Sequence, residues 1–156
     1  MGALVLAAAT AGCGGDDDGG SACGPTSGTV ASVVDGDTVD LATGERVRYL
    51  MIDTPELSSD DCYAVESRDS NTDLVAGREV SIAYDVECED MFGRLLAYVS
   101  VDQREINTLM VERGYACVLS IPPNGADRRA EFENLEAAAK AEGRGMWGAC
   151  AEVTCD

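Results

Sequence analysis

From Thr29 to Val101, apolar positions come in short runs rich in β-branched and aromatic residues. TVASVV, DTVDL and RVRYLMI are separated by Asp35-Gly36 and by Thr43-Gly44, both turn-forming pairs, and the pattern predicts a three-strand meander. REVSIAYDV and LLAYVSV supply two further strands, with a helix between them over roughly Cys62 to Ala76, ending at Gly77. The period then changes. Ile106, Leu109 and Met110 recur at helical spacing before Gly114, and Phe132, Leu135 and Ala139 do so before Gly143. Five strands with helices segregated around them form an α+β pattern. A small closed barrel is the economical arrangement, because it leaves no naked sheet edge.

Upstream of the meander the composition shifts. Gly14 to Gly28, GGDDDGGSACGPTSG, has no apolar face to bury and is expected to be a flexible tether, so the domain is drawn as residues 29–156. The segment MGALVLAAATAGC is apolar, ends in small residues and is too short to span a bilayer as a mature helix. Residues 1–12 therefore resemble a signal peptide. Thr10-Ala11-Gly12-Cys13 is similar to a bacterial lipoprotein cleavage site, although Thr10 stands where a Leu-like residue is usual and no Lys or Arg precedes the run. The expectation is an exported protein anchored to a membrane by a lipid on Cys13. The alternatives are an ordinary cleaved signal, giving a periplasmic or secreted protein, and a plain apolar N-terminus.

A length of 156 residues suits one domain with a real core. The chain carries 11 Lys+Arg against 29 Asp+Glu, a net charge of -18, which argues against a polyanionic partner. There is no His, so mechanisms with imidazole as base, nucleophile or metal ligand are excluded. Seven Cys stand at 13, 23, 62, 88, 117, 150 and 155 with no CxxC pair, which favours disulfides in an oxidising compartment over a zinc ribbon or thioredoxin-like motif. With Cys13 set aside, six remain, enough for three bridges.

Four places hold residues capable of chemistry, each with an ordinary alternative. Asp35-Gly36-Asp37-Thr38 reads as a hairpin turn or as a metal carboxylate at a strand start. In Asp53-Thr54-Pro55-Glu56, Pro55 keeps Thr54 out of the helical region, giving a simple turn or one that aims two carboxylates and a carbonyl. Arg48, in an otherwise apolar strand, is either a rim cation or a phosphate-gripping guanidinium. Arg94, at the end of DMFGR, is either a solvated turn residue or a second such group.

In order and spacing, DGDT, RVRYLMIDTPE, FGRLLAY, INTLMVERGYA and GMW closely resemble the staphylococcal-nuclease (thermonuclease) family, from about Val30 to Trp147. The resemblance implies a five-stranded OB-like β-barrel with three α-helices. It also implies a calcium-dependent endonuclease that takes single-stranded DNA and RNA and leaves 5′-hydroxyl and 3′-phosphate ends. Asp37 and Asp53 would be the calcium carboxylates, with the Thr54 carbonyl as a further ligand. Glu56 would be the general base, and Arg48 and Arg94 would bind the phosphate. Two carboxylates and a carbonyl form a hard oxygen set that suits Ca²⁺. With no His present, a carboxylate base is the natural remaining choice.

The chain departs from that family in three respects. Lys140 is its one Lys. Ser120, Ile121 and Pro122 stand where Tyr-rich sequence is expected, with Phe92 keeping one aromatic position, so substrate binding is expected to be weak. The cysteines are additional, and the expected bridges are Cys62–Cys88 as a clamp on the site, Cys117–Cys150, and Cys23–Cys155 tying the ends. The competing reading is a catalytically silent OB-barrel, a binding or structural lipoprotein module. In either case a monomer is expected.

Overall fold

The computed structural model describes residues 21–155. The elements are β1 (Ser27–Val33), β2 (Thr38–Leu41), β3 (Arg46–Tyr49), β4 (Ile52–Asp53), a 3₁₀ turn (Leu57–Ser59), α1 (Ala64–Val75), β5 (Glu79–Glu89), β6 (Leu95–Val101), β7 (Arg104–Glu105), α2 (Ile106–Glu112), β8 (Cys117–Val118), α3 (Arg129–Ala141) and α4 (Met146–Ala149). β1, β2 and β3 form the antiparallel meander. β5 pairs antiparallel with β1 and β6, and a parallel pairing of β3 with β6, Val47 opposite Leu95, closes five strands into a barrel. The α+β barrel expected from the pattern is the fold.

Alternation explains how the barrel fills. Along β3, Val47 and Tyr49 point inward, and Arg46 and Arg48 take the other face. Val30, Val39, Val80 and Val99 fill the interior with them, all at most 1% exposed. Ile106 and Met110 of α2 and Phe132 of α3 join the same core. α1 is different, because two of its buried positions are Ser67 and Asn71. The Ser67 hydroxyl donates to Tyr115 O at 2.7 Å, while Asn71 accepts from Tyr49 Oη at 3.0 Å and donates to Asp35 O at 2.9 Å.

Two differences from the sequence reading affect the site. The run RVRYLMI is not one strand. The chain turns at Met51, whose φ is 68°, and a short β4 leaves the barrel to pair with β8, Asp53 opposite Cys117. A fourth, single-turn helix, α4, follows α3.

The disulfide pairing is also corrected. The bridges are Cys23–Cys88, Cys62–Cys150 and Cys117–Cys155, and none of the three expected pairs forms. The topology explains the exchange. β1 runs antiparallel to β5, so the chain leading into β1 lies beside the end of β5, and Tyr84 Oη donates to Pro25 O at 2.8 Å there. Cys88 therefore meets Cys23. Cys62, just before α1, is left to Cys150 at the end of α4, and Cys117 on β8 to Cys155. The signal-peptide and Cys13 expectations lie outside the described residues.

Candidate active site

Asp37 ends the turn that opens β2, and its backbone N–H donates to Asp35 Oδ1 at 3.0 Å. Gly36 has a steric role here, since a Cβ at this position would lie 2.6 Å from Thr54 Cγ2 and 2.9 Å from Thr54 Oγ1. Its absence lets Thr54 close onto the turn. The Thr54 N–H and Oγ1 then both donate to Asp37 Oδ2, at 2.9 and 3.0 Å, and Thr38 Oγ1 donates to Asp37 Oδ1 at 2.9 Å. Asp37 is 4% exposed and Asp53 8%, so neither carboxylate is a surface acid.

Arg48 joins them. Its Nε lies 3.1 Å from Asp37 Oδ1, and its Nη2 donates to Asp53 Oδ1 at 2.9 Å. Nη1 donates to Tyr49 O and Ile52 O at 2.8 and 2.7 Å, the two carbonyls flanking the turn at Met51. That turn is why one guanidinium reaches β2, β3 and β4 together. The fork geometry of Arg suits such a position and the point charge of Lys does not.

The concentration of acids affects Asp35. Its pKa is pushed up to about 6, first by burial and then by the negative charge of Asp37. Behind it, the Tyr49 hydroxyl is fully buried and held in its neutral form by that burial; it donates to Asn71, whose own bond to Asp35 O ties α1 to the turn. Asn71 belongs to the site's support, and nothing in the hydrophobic pattern points to it, because it is a polar residue in a buried helical position.

Arg94 follows the β5–β6 turn, and Asp90 organises that turn. Asp90 Oδ1 accepts from the N–H groups of Phe92 and Arg94 at 2.9 and 3.0 Å, and Oδ2 lies 2.6 Å from Arg94 Nε. Burial works to raise the Asp90 pKa, but the bonds from Arg94 and Phe92 outweigh it and bring it below the usual value. The sequence pattern does not single out Asp90 as a site residue, although it lies four positions before Arg94, where a turn acid finds its partner. Arg94 and Arg48 line one groove of about 440 Å³, whose remaining walls include Leu96, Phe92, Leu119 and Ile121. Phe92 and Ile121 are 76% and 65% exposed, so two large apolar side chains stand at the groove's edge beside the exposed acids Glu87 and Glu89.

The structure thus brings Asp37, Arg48, Asp53 and Thr54 into one bonded cluster, with Arg94 opening on the same groove. Glu56 stands apart. It is exposed, three residues beyond Asp53, and its backbone N–H donates to Asp61 Oδ2 at 3.1 Å. Among the described residues no group of three or more acidic, Cys or His side chains is placed to hold a metal ion. An ion here would draw on two carboxylates, backbone oxygen and water.

A closed five-strand barrel with helices, in which two buried carboxylates are bonded to one arginine and a second arginine opens on the same groove, defines an OB-like α+β domain. The family model for "Staphylococcal nuclease homologue" matches residues 46–149, and the chain belongs to that family. It is 31% identical over 134 residues to "SPbeta prophage-derived endonuclease YokF" of Bacillus subtilis (strain 168), covering 81% of this chain and 45% of that protein. It is 29% identical over 134 residues to "Endonuclease YncB" of the same organism, covering 81% of this chain and 64% of that one. "Thermonuclease" of Staphylococcus intermedius is 31% identical over 102 residues, 61% of each chain. The chain thus spans less than two thirds of the length of each of these relatives.

Proposed function

We propose that this domain is a calcium-dependent endonuclease acting on single-stranded DNA and RNA as a monomer. One observation carries the reading: two buried carboxylates, Asp37 and Asp53, converge on the guanidinium of Arg48, which shares its groove with Arg94. Endonuclease relatives support the reaction class.

Hard oxygen donors favour calcium over a soft metal. Asp37 and Asp53 already converge on one cationic group, and with the Thr54 carbonyl they would give hard oxygen ligands with room for water. When bound, calcium would supply positive charge beside the scissile phosphate and lower the pKa of a coordinated water. Glu56, exposed and unburdened by the cluster, takes the proton from the attacking water. Arg48 and Arg94 meet the charge that grows on the equatorial phosphate oxygens. Asp90 occupies Nε of Arg94 and so orients its guanidinium at the groove. In-line attack breaks the bond from phosphorus to the 5′-oxygen, which takes up a proton from solvent, leaving a 5′-hydroxyl and a 3′-phosphate.

Three disulfides support work in an oxidising compartment, so the proposed location is outside the cytoplasm, with a lipid on Cys13 as the proposed anchor. The test is digestion of single-stranded DNA with and without Ca²⁺, beside a Glu56→Gln variant. Calcium-dependent cleavage that drops at least about 10²-fold in the variant is expected. A parent that binds the strand without cutting it would instead be the silent binding module.

A further inference from the structure

We propose that the Cys62–Cys150 disulfide is a positioning device for Glu56, an inference that rests on Glu56 being the base. Pro55 is buried and the next buried residue is Ala64, so no side chain from 56 to 63 is buried, and only Leu57, Asp61 and Tyr63 are half-buried. Its 3₁₀ turn has no buried residue, and Asp60 closes it in a left-handed conformation at φ 53°. Within the stretch, restraint comes from Asp61. Its carboxylate accepts the Glu56 N–H at 3.1 Å, and its own N–H donates to Glu56 O at 3.2 Å. Those two bonds fold the turn on itself and do not fix it to the barrel.

Cys62 provides that fixing. It follows Asp61 directly and is bonded to Cys150 at the end of α4. α4 is a firm post. Met146 is 0% exposed, its N–H donates to Gly114 O at 2.9 Å, and the chains approach so closely that a Cβ on Gly114 would lie 2.1 Å from Arg144 O. Next to the bridge, Tyr63 stacks on Tyr115, ring centroids 5.5 Å apart. The turn that carries Glu56 is therefore held at its start by Pro55 and at its end by a covalent link to the helical layer. An exposed loop with few core contacts would otherwise sample many positions, and a displacement of about 1 Å at a reacting group costs on the order of 10²-fold in rate.

The experiment compares the oxidised full chain with C62A/C150A and with Val80→Ala, a core variant used to match loss of thermal stability. All are assayed on single-stranded DNA with Ca²⁺ at a temperature where each is folded. The expected result is a fall in kcat of about 10-fold or more for C62A/C150A with KM nearly unchanged, and no such fall for Val80→Ala. Amide hydrogen exchange over residues 57–61 is expected to quicken in C62A/C150A only. If C62A/C150A does not fold, C62V/C150A, which fills the space of the bridge without the covalent link, is expected to give the same loss of kcat. Unchanged kcat, or unchanged exchange in 57–61, overturns the proposal. A parent with no calcium-dependent cleavage overturns the nuclease reading instead, and the exchange measurement still decides whether the bridge holds the turn.

Discussion

Arg48 and Asp53 form a 2.9 Å ion pair in which both side chains are nearly buried, and the same guanidinium is 3.1 Å from Asp37. One cation thus balances two carboxylates. Removing it leaves two buried negative charges, a change that typically costs about 3–5 kcal/mol. Arg48→Gln is therefore expected to lower stability by that order in EDTA. Saturating Ca²⁺ supplies a replacement cation and should narrow the gap between variant and parent. Urea denaturation of both proteins with and without Ca²⁺ checks this, and a gap that calcium leaves unchanged would count against Asp37 and Asp53 as the calcium ligands.

Arg94 presents the opposite balance. Its pair with Asp90 is partly exposed, 32% and 17% by side chain, so the ion pair itself contributes at most about 1 kcal/mol. Arg94→Ala should leave the unfolding midpoint nearly unaltered. Loss of one preorganised donor to the phosphate is nonetheless expected to cut kcat by roughly 10²-fold or more. Steady-state kinetics beside thermal unfolding separates the two effects, and a full kcat would remove Arg94 from the mechanism.

Gly36 tests the steric support of the cluster. A methyl group there meets the Thr54 side chain at 2.6–2.9 Å, so Thr54 must retreat and its two bonds to Asp37 lengthen. Gly36→Ala is expected to cost about 1–3 kcal/mol, as overpacking does. It should also weaken calcium binding measured by calorimetry. Unaltered affinity would show that Thr54 does not orient Asp37.

The barrel was legible in the sequence because it is written in alternation. Val47 and Tyr49 against Arg46 and Arg48 is a period-two pattern that needs no tertiary knowledge. Asp37 and Asp53 stood out because they end such runs and Arg48 because it interrupts one, but the roles expected of them came from the family resemblance and not from the pattern. The disulfide pairs were not, because pairing depends on which strand ends the closed barrel brings together, and Cys88 lies 65 residues from its partner Cys23. The turn at Met51 was equally hidden, since a left-handed non-glycine residue inside an apolar run leaves no compositional trace. Ser67 and Asn71 escaped for a related reason: their burial is balanced by specific hydrogen bonds and not by apolar character.

Asp35 gives stability a pH dependence. Its carboxyl has a pKa of about 6 when folded against 3.8 ordinarily, so between those values the folded state holds a proton that the unfolded state has lost. Stability contributed by this group is then complete below about pH 4 and is lost as pH rises to about 6. After allowance for its partial exposure to solvent, the change is on the order of 1–2 kcal/mol. Asp35→Asn keeps an acceptor for the Asp37 N–H and cannot ionise. In EDTA it should be more stable than the parent at pH 7.5 and no more stable at pH 4. Equal stability at pH 7.5 would contradict the shift.

The charge of -18 sharpens what to expect of substrate binding. Screening within about 8 Å at physiological salt leaves the scissile phosphate governed by its neighbours, Arg48 and Arg94, and not by the distant acidic surface. The groove holds these two cations beside Glu87, Glu89 and Asp90, so strand phosphates away from the site find little positive charge along it. With about two phosphates neutralised, the logarithm of the binding constant should fall with the logarithm of salt at a slope near -1.4 for single strands. The apolar side chains of Phe92 and Ile121 supply contact that salt does not weaken, and stacking on an aromatic ring is worth about 1–3 kcal/mol per base. Phe92→Ala should therefore raise KM roughly tenfold or more while leaving the salt slope as it was. Titrations across a salt series with parent and variant measure both quantities. A slope near -5 would mean that a basic path for the strand exists elsewhere on the molecule, and an unchanged KM would mean that the bases do not rest on Phe92.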